Sequence, residues 1–340
     1  MTSLDISFGE YLAEIERELK CLLRPPGGEL VPFYGMMQYH LGWVDRELHP
    51  VKADAGKRLR PLLCLLTCQA GGGDFRRALP AAAALELLHN FSQIHDDIED
   101  GDEERRHRPT LWRLWGISQA INVGDGMMSL VYLSLSKLWE KGIPDEKVRD
   151  VTEVFHQMYR QLCEGQYLDI SFEGRPEVTV EEYLAMIERK TAALFSSSTQ
   201  IGAMLATDDL RIVNSCRLFG RNLGLAFQIT DDLLGIWGDP EVTGKPVGSD
   251  ILRRKKSLPI VYALGKESAL KEIYGQDKIS PEDLRKVLKI LEDLAAREYA
   301  RGLAQGYYQL ALEALERACL MGEAQEKLKW IAAFLVEREY

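Results

Sequence analysis

The sequence lacks several features that mark whole classes of protein. It contains no apolar run of about 18 residues, the length that a membrane-spanning helix needs. Its formal net charge is −10, so a broad basic surface for nucleic acid is not expected. The N-terminus has neither the basic start nor the apolar segment of a signal peptide. These absences predict a cytoplasmic protein with no membrane span and no nucleic-acid partner.

Cysteine is scarce and scattered. The six cysteines follow no spacing that is typical of a zinc site. Cys64 and Cys68 lie one helical turn apart in the apolar stretch LLCLLTCQA, where two small core residues are a better interpretation than a metal site. Scattered thiols of this kind also fit a reducing compartment.

Strand patterns are almost absent too, since few alternating β-branched stretches stand between turns, and no strand is predicted. Nearly every long segment has helical periodicity instead. The predicted helical segments are 10–23, 57–70, 76–100, 117–139, 146–172, 180–206, 209–236, 257–265, 281–317 and 323–339. No low-complexity linker or repeat separates them, so we predict one all-α domain spanning residues 1–340.

What the sequence does contain is a dense acidic cluster on a predicted helix. In LLHNFSQIHDDIED, one helical face carries His89, Gln93, Asp96, Asp97 and Asp100. Alone, such a patch would be interpreted as a solvated surface laced with ion pairs. Carboxylates one turn apart repel each other unless a cation lies between them. Because the donors are oxygens, the implied cation is Mg²⁺ or Mn²⁺ rather than Ca²⁺.

A second cluster lies in the apolar stretch LAFQITDDLLGIWGDP. Gln228, Asp231 and Asp232 share one face of this predicted helix, and charged residues are seldom buried among apolar ones without a partner. If the two clusters faced each other across a bundle, they would form a cage. Mg²⁺ usually keeps several waters and binds through a few carboxylates and substrate phosphates. The sequence therefore predicts that the protein binds a diphosphate through bridging metal ions.

Basic residues occur near these clusters in the sequence, at turns between the predicted helices. GKRLRP places Lys57, Arg58 and Arg60 at a predicted helix start, where backbone N–H groups also attract anions. Further basic residues occur in RRHRPT (105–110), before Thr191, in TGKPVG and in RRKKSLP (253–259). A single basic residue is usually a surface charge, but five groups beside acidic pairs favour a polyanion site.

Together these motifs resemble the trans-isoprenyl diphosphate synthases, the polyprenyl synthetase family. The resemblance runs from about residue 40 to the C-terminus in the family's order: GKRLRP, LLHNFSQIHDDIEDGDEERRHRPT, NVGD, EGQYLD, KT, FQITDDLLGIWGD, GKPVGSD and KSLP. It implies a single large all-α bundle of the isoprenoid synthase type with a central cavity, usually a homodimer. It also implies the head-to-tail condensation of isopentenyl diphosphate with an allylic diphosphate.

The resemblance implies three groups of site residues. Isopentenyl diphosphate would be bound by Lys57, Arg60, His89 and Arg106. The allylic diphosphate would be held by Arg105, Lys190, Thr191, Gln228, Lys245 and Lys255. Magnesium, for which Mn²⁺ could substitute, would be carried directly or through water by Asp96, Asp97, Asp100, Asp231 and Asp232.

The implied reaction begins with ionisation of the allylic diphosphate, whose charge Mg²⁺ and basic residues would neutralise. The isopentenyl double bond attacks the cation, and a proton is lost to the departing diphosphate, assisted by Gln228 and by oxygens near Lys190 and Thr191. One position departs from the family's pattern. Many members have DDxxD as second motif, whereas here Gly235 stands at the third acidic position and Asp239 follows four residues later.

Product length is expected to depend on the helix that precedes the first motif. In the family the growing tail runs from this motif toward the helix N-terminus, so Ser92, four residues before Asp96, could form the floor. Phe91 is bulky but points about 100° away, and Leu88 belongs to the next layer. This pattern resembles geranylgeranyl synthases. It predicts a C20 product, with C15 second and C25 as a minor species.

Two other functions were considered. A terpene cyclase would ionise a diphosphate but would have little use for GKRLRP, His89 and the paired arginines. A non-catalytic synthase subunit would be expected to have lost one Asp cluster, yet both are intact. Condensation by the purified protein alone would distinguish a synthase from such a subunit.

Overall fold

The computed structural model describes residues 3–54, 56–239 and 247–336. The predicted ligand Lys245 lies outside them. The α-helices are α1 (Ser3–Leu22), α2 (Val31–His40), α3 (Leu59–Ala70), α4 (Leu79–Glu99), α5 (Leu111–Trp115), α6 (Ile117–Ser136), α7 (Asp145–Glu173), α8 (Val180–Ile187), α9 (Ala193–Ala206), α10 (Leu210–Trp237), α11 (Ser249–Leu252), α12 (Leu258–Leu264), α13 (Ser268–Tyr274), α14 (Pro281–Asp293), α15 (Ala296–Arg317) and α16 (Glu323–Val336). No helix in these ranges is long and apolar enough to cross a membrane.

The predicted all-α class is confirmed, with one small exception. Strands β1 (Glu104–Arg105) and β2 (Arg108–Pro109) form an antiparallel hairpin inside the basic motif, where no strand was predicted. Arg106 and His107 between them both have positive φ, 52° and 58°. Sequence rules recognise two-residue hairpin turns by Asn or Gly at such positions, so they do not predict a turn formed by Arg and His.

The prediction of one helix over 281–317 is wrong at its middle. The helix is interrupted between α14 and α15 at Ala295, whose φ is 51°. Leu291 and Ala296 on the two sides of the break both belong to the same buried cluster. The turn keeps both residues in the core, and the free energy gained by burying them outweighs the cost of a left-handed backbone at an alanine.

The chain forms two compact units, Met1–Thr152 with Ile201–Thr207, and Glu153–Gln200 with Asp208–Tyr340. The boundaries fall within α7 and α9 rather than in a linker. The single domain inferred from the absence of a linker therefore stays a prediction. We call these two parts unit 1 and unit 2.

Unit 1 is built around α4, which packs against α3 and α6. Its first half, LPAAAALELL, is buried throughout. The small side chains of its alanines allow the neighbouring helices to approach closely. Cys64 and Cys68 on α3 are buried and unpaired, as predicted. In unit 2, α10 packs along α15. One apolar cluster there includes Leu225 and Leu233, and a second includes Ile236 and Leu264. The first Asp motif thus ends α4, and the second lies more than one turn before the end of α10, next to buried residues.

Candidate active site

The first Asp motif occupies the last turn of α4 in unit 1. Asp97 points inward and is buried, Asp96 is half-buried, and Asp100 is exposed. Arg105 Nε donates to Asp97 Oδ1 at 2.7 Å. Burial raises the pKa of the Asp97 carboxyl, while the hydrogen bond and positive charge of Arg105 lower it. The two adjacent aspartates therefore have different environments, one tied to an arginine and one facing out.

The hairpin turn brings the Arg106 side chain next to Gly56, the first residue of the GKRLRP motif. A Cβ on Gly56 would lie 2.7 Å from Arg106 Nη2, and Gly56 has a φ of 78°. Only glycine fits both the backbone and this approach. Arg106 Nη2 also lies 3.4 Å from Gln93 Oε1 on α4. Burial, with Arg105 and Arg58 nearby, lowers the pKa of the Arg106 guanidinium, while Glu86 and Asp54 oppose that effect.

His89 belongs to the same basic cluster. Burial lowers the pKa of its imidazole well below the usual range, and the charges of Arg60, Arg106 and Arg105 lower it further. Arg60 is half-buried in the first turn of α3, and Lys57 precedes that helix on the exposed surface. The structure thus brings together Arg60, His89, Arg105 and Arg106 from three separate motifs, and Lys57 lies three residues from Arg60.

Arg58, in the same motif, has a structural role that the sequence did not reveal. It caps α3 with a left-handed φ of 49° and is 4 % exposed. Its guanidinium binds Glu86 at 2.6 Å and Glu16 at 2.9 Å. The Asn90 amide donates to Glu86 Oε1 at 2.8 Å. This buried network fixes the loop between Lys57 and Arg60.

The second Asp motif lies near the end of α10 in unit 2. Asp232 is buried and accepts hydrogen bonds from the Tyr183 hydroxyl, from the Leu258 backbone N–H at 2.8 Å and from Gln228 Nε2 at 3.2 Å. Burial raises the pKa of Asp232 to about 7, although these donors oppose it. Asp231, its neighbour, is exposed.

Lys190 and Thr191 are positioned by a break in helix geometry. The run between α8 and α9, Glu188–Ala192, is a π-helical turn, a feature that often marks functional sites. Two glycines allow neighbouring helices to reach it, because a Cβ on Gly165 would lie 2.7 Å from Lys190 Cα and one on Gly224 would lie 2.6 Å from Ala192 Cα. Lys190 Nζ pairs with Asp169, and Thr191 Oγ1 donates to Gln228 Oε1 at 2.7 Å.

Gly235, which departs from DDxxD, has a spatial explanation. A Cβ at this position would collide with the carboxylate of Asp250 on α11, coming within 2.5 Å of its carboxyl carbon. Ser249 Oγ donates to the Gly235 carbonyl at 3.3 Å, and Gly248 N–H donates to Ile236 O at 3.0 Å. The carboxylate of Asp250 therefore occupies the space next to position 235 that any side chain there would need.

The basic motif that follows α11 divides between two roles. Lys255, the predicted diphosphate ligand, is exposed. Lys256 instead donates to the carbonyls of Phe172 and Arg175 at the end of α7. Sequence reasoning did not single out Tyr183, Asp169 or Asp250. EGQYLD contains Asp169 and the close-approach glycine, and GKPVGSD ends at Asp250, whereas no local signal indicates Tyr183.

The comparisons with known proteins agree with this geometry. Residues 42–291 match the model of the family described as Polyprenyl synthetase. The chain belongs to the polyprenyl synthetase family. It is therefore a prenyltransferase, as the ordered motifs predicted.

The relatives of this synthetase make different products. A (2E,6E)-farnesyl diphosphate synthase of Mycobacterium bovis is 38% identical over 89% of this chain and 86% of its own length. A geranylgeranyl diphosphate synthase of Mycobacterium tuberculosis is 39% identical over 84% of this chain and 82% of its own. A solved polyprenyl synthetase from Streptomyces coelicolor A3(2) superposes with a TM-score of 0.89 at 35% identity, covering 98% and 100% of the two chains. These similarities leave product length open.

The donor chemistry of the synthetase fits Mg²⁺, because its solvent-facing motif carboxylates offer oxygen only. Asp96 and Asp100 are one turn apart at the end of α4, and Asp231 is exposed on α10. Within the described ranges, no three His, Cys, Asp or Glu side chains form a ready-made metal site. An ion held by these carboxylates would need further oxygens from water or a diphosphate. The ligand roles of all five aspartates stay predictions.

The residues predicted to limit product length lie one and two turns before Asp96. Phe91 is buried and packs on His95, with ring centroids 4.6 Å apart. Ser92 is half-buried and its hydroxyl donates to His89 O at 2.9 Å, while Leu88 is fully buried. Their role in setting chain length is not tested by these contacts and stays a prediction.

Proposed function

We propose that this prenyltransferase condenses isopentenyl diphosphate with an allylic diphosphate in the presence of Mg²⁺, and that its main product is the C20 geranylgeranyl diphosphate. The observation that carries the proposal is the basic cluster in unit 1. Several arginines surround the half-buried His89 beside an Asp motif. Such a concentration of positive charge is costly unless an anion binds there.

In unit 1, we propose that Lys57, Arg60, His89 and Arg106 hold the diphosphate of isopentenyl diphosphate. The first turn of α3 contributes N–H groups that favour an anion. Gly56 lets the Arg106 guanidinium approach the backbone there. Removing the Lys57 ammonium should therefore weaken this substrate more than the allylic one.

In the same unit, we assign Arg105 to the allylic diphosphate, because Asp97 holds its guanidinium in a fixed orientation. In unit 2, we assign Lys190, Thr191 and Gln228 to that diphosphate. Asp169 orients the Lys190 ammonium, and Thr191 and Gln228 are joined by a hydrogen bond. Exposed Lys255 would complete the set. Preorganised donors of this kind stabilise charge as it develops on a leaving group.

Metal ions, when bound, would neutralise charge on the departing diphosphate. The residues that would hold them are Asp96, Asp97, Asp100, Asp231 and Asp232. Once the allylic cation has reacted, the C2 proton of the isopentenyl unit passes to a diphosphate oxygen. The Gln228 amide N–H is suited to hold that oxygen, while the Thr191 hydroxyl, which donates to Gln228 Oε1, holds the amide in place.

The C20 product is supported by the small side chain at Ser92. A half-buried serine one turn before Asp96 leaves space that an aromatic ring would fill, whereas buried Phe91 is already packed on His95. C15 and C25 products are the alternatives, and relatives of comparable similarity are named as farnesyl and geranylgeranyl synthases.

We further propose that the active form is a homodimer. Along α6, four large apolar residues are exposed: Ile117 (52%), Ile121 (43%), Tyr132 (44%) and Leu133 (58%). An apolar stripe of this extent on one helix is typical of a subunit interface. Leu133→Glu should shift the protein toward a monomer in sedimentation measurements.

The test of the reaction is an incubation of purified protein with Mg²⁺, labelled isopentenyl diphosphate and C10 or C15 allylic diphosphates, followed by sizing of the products. Lys57→Ala should raise KM for isopentenyl diphosphate about tenfold or more. It should leave KM for the allylic substrate nearly unchanged. Lys52→Ala, which removes an exposed lysine of the same loop, is the matched control. No condensation by the wild type would refute the proposal.

Product length is tested by two substitutions on α4. Ser92→Phe should shorten the main product toward C15, because the ring fills the space one turn from Asp96. Phe91→Ala should lengthen it beyond C20, because it removes a buried ring. If Ser92→Phe leaves the product distribution unchanged, the tail does not pass this turn and the C20 assignment loses its basis.

A further inference from the structure

A second histidine, half-buried, borders the basic cluster, and none of the family motifs contains it. His40 is the last residue of α2, and its Nε2 atom is buried with no hydrogen-bond partner among the described residues. Its position is fixed by Arg108, which donates to Tyr39 O at 2.9 Å and to Val44 O at 2.6 Å on the two sides of His40. A buried polar atom without a partner is rare and costly, which indicates a missing ligand.

The imidazole of His40 is linked to Arg106 through Gln93. A side-chain hydrogen bond with Gln93 works to raise the pKa of the His40 imidazole. Because Nε2 has no partner, this bond uses Nδ1. The same Gln93 Oε1 lies 3.4 Å from Arg106 Nη2. One amide thus orients both His40 and an arginine that we assign to isopentenyl diphosphate.

A small cavity lies beside His40. Its volume of about 20 Å³ is enough for roughly one water molecule or one phosphate oxygen. The charged and titratable groups that face His40 or line this cavity come from every neighbouring element: Tyr39, Asp54, Arg58, His89, Asp97, Arg105, Arg106 and Arg108. Among the residues that line the cavity itself, Arg105, Arg106 and Arg108 outnumber Asp54 and Asp97, so the cavity favours an anion.

The electrostatics explain why the imidazole is neutral without such an anion. Burial, and then the charges of Arg105, Arg106 and Arg58, lower the pKa of His40 well below its usual range. A bound diphosphate would offset these positive charges and give Nε2 an acceptor. The imidazole could then carry its second proton and donate a charge-assisted hydrogen bond.

We propose that His40 is an additional binding residue of the isopentenyl diphosphate subsite, whose Nε2 donates to a diphosphate oxygen that enters the cavity next to Arg105 and Arg106. This inference rests on the proposed function, since it adds a fifth side chain to Lys57, Arg60, His89 and Arg106. The competing interpretation is that His40 only orients Gln93.

Two substitutions separate these interpretations. His40→Asn keeps an amide near the position of Nδ1, so it can still form a hydrogen bond with Gln93, but it removes Nε2. His40→Gln places an amide N–H near the position of Nε2 and loses the group at Nδ1. His49→Asn is the control, because that histidine lies in the same unit with a side chain that is 77% exposed.

The measurement is the Kd of isopentenyl diphosphate by calorimetry with a chelator present, together with KM and kcat in the Mg²⁺-containing reaction. We expect His40→Asn to raise Kd and KM about tenfold or more while kcat changes less than about threefold. His40→Gln should stay within about threefold of wild type, as should His49→Asn. Wild-type affinity in His40→Asn would overturn the proposal. Equal losses in His40→Asn and His40→Gln would also overturn it, since they would indicate a role through Gln93.

A measurement on the wild type covers the case in which a variant does not fold. In protein with ¹⁵N-labelled histidine, addition of inorganic diphosphate should move the His40 Nε2 resonance from the neutral to the protonated range. An unchanged resonance at saturating diphosphate would contradict the proposal. The proposed function is tested separately, by whether the protein forms a condensation product. If product forms and the His40 substitutions do not change the binding of isopentenyl diphosphate, only the role of His40 is refuted. If binding depends on His40 but no product forms, only the proposed reaction is refuted.

Discussion

The two Asp-Asp pairs have the same sequence and opposite chemistry. In each, the first aspartate faces solvent more than the second, which is buried. Asp97 in unit 1 is held by a cation, Arg105. Among the described residues, the donors to Asp232 in unit 2 are neutral: a tyrosine hydroxyl, a backbone N–H and an amide. Burial raises the pKa of both carboxyls, and for Asp232 it reaches about 7.

The difference shows that the partner, rather than the motif, sets the charge of a buried carboxylate. A guanidinium offsets the loss of hydration by a full opposite charge, whereas neutral donors offset it only in part. We therefore expect Asp97 to stay ionised without metal and Asp232 to be partly protonated near neutral pH. The predictions below test this contrast, beginning with the largest effect.

The largest effect should come from the outward-facing member of each pair. Asp96→Ala and Asp231→Ala should each lower kcat by about 100-fold or more, because each removes a predicted metal ligand. The assay is steady-state turnover at saturating Mg²⁺. Asp277→Ala, at an exposed position in unit 2, is the control and should be neutral. A mild effect of both substitutions would mean that the pairs are structural, and full activity in excess chelator would exclude the metal requirement.

Gly235→Asp should restore the DDxxD pattern but damage the protein. The new side chain would collide with the Asp250 carboxylate and add a like charge beside it. We expect a loss of about 2 kcal/mol or more in the free energy of unfolding, measured with denaturant. Asp250→Gly in the same chain should recover part of that loss. Gly306→Asp on α15, where a Cβ would meet nothing within 4 Å, is the control. Equal stability of Gly235→Asp and wild type would show that Asp250 moves away freely.

The charge contrast itself is tested by metal-free thermal unfolding between pH 5 and pH 8. The folded-state pKa of Asp232, about 7, exceeds its unfolded value of 3.8, so its contribution to stability is present at low pH and is lost as pH rises through 7. Asp232→Asn cannot ionise. It should therefore unfold a few degrees above wild type at pH 8, with a smaller difference at pH 5.

Asp97→Asn is the counterpart in unit 1. It leaves the largely buried Arg105 without its carboxylate, so this variant should be less stable than wild type at both pH values. If Asp232→Asn is also destabilised at pH 8, the surroundings of Asp232 stabilise its ionised carboxylate and the contrast between the pairs fails.

The smallest effect concerns one neutral donor to Asp232. Tyr183→Phe removes the hydroxyl but leaves the Leu258 N–H and Gln228 bonds in place. We expect a loss of about 1 kcal/mol in the free energy of unfolding. Tyr167→Phe, at a residue that is 72% exposed, should change nothing measurable. A loss above about 3 kcal/mol would show that the hydroxyl is a main determinant of the Asp232 environment.

The sequence by itself determined the helical class, the order of the motifs and the residues that carry charge. These follow from local rules, because the 3.6-residue period and the spacing of Asp96, Asp97 and Asp100 act within one helix. The family resemblance rests on the same short stretches. Local patterning also identified buried Cys64 and Cys68 as core residues rather than metal ligands.

Only the tertiary structure decided which charges meet. The hairpin turn at Arg106, the π-helical turn at Lys190 and the break at Ala295 carry no residue pattern that predicts them. Arg58 pairs with Glu16 and Glu86, and Asp250 occupies the space next to Gly235, across separations of 15 to 42 residues. The charge state of Asp232 likewise depends on Tyr183 and Leu258. Such contacts depend on how distant helices pack, and no rule of local spacing contains that information.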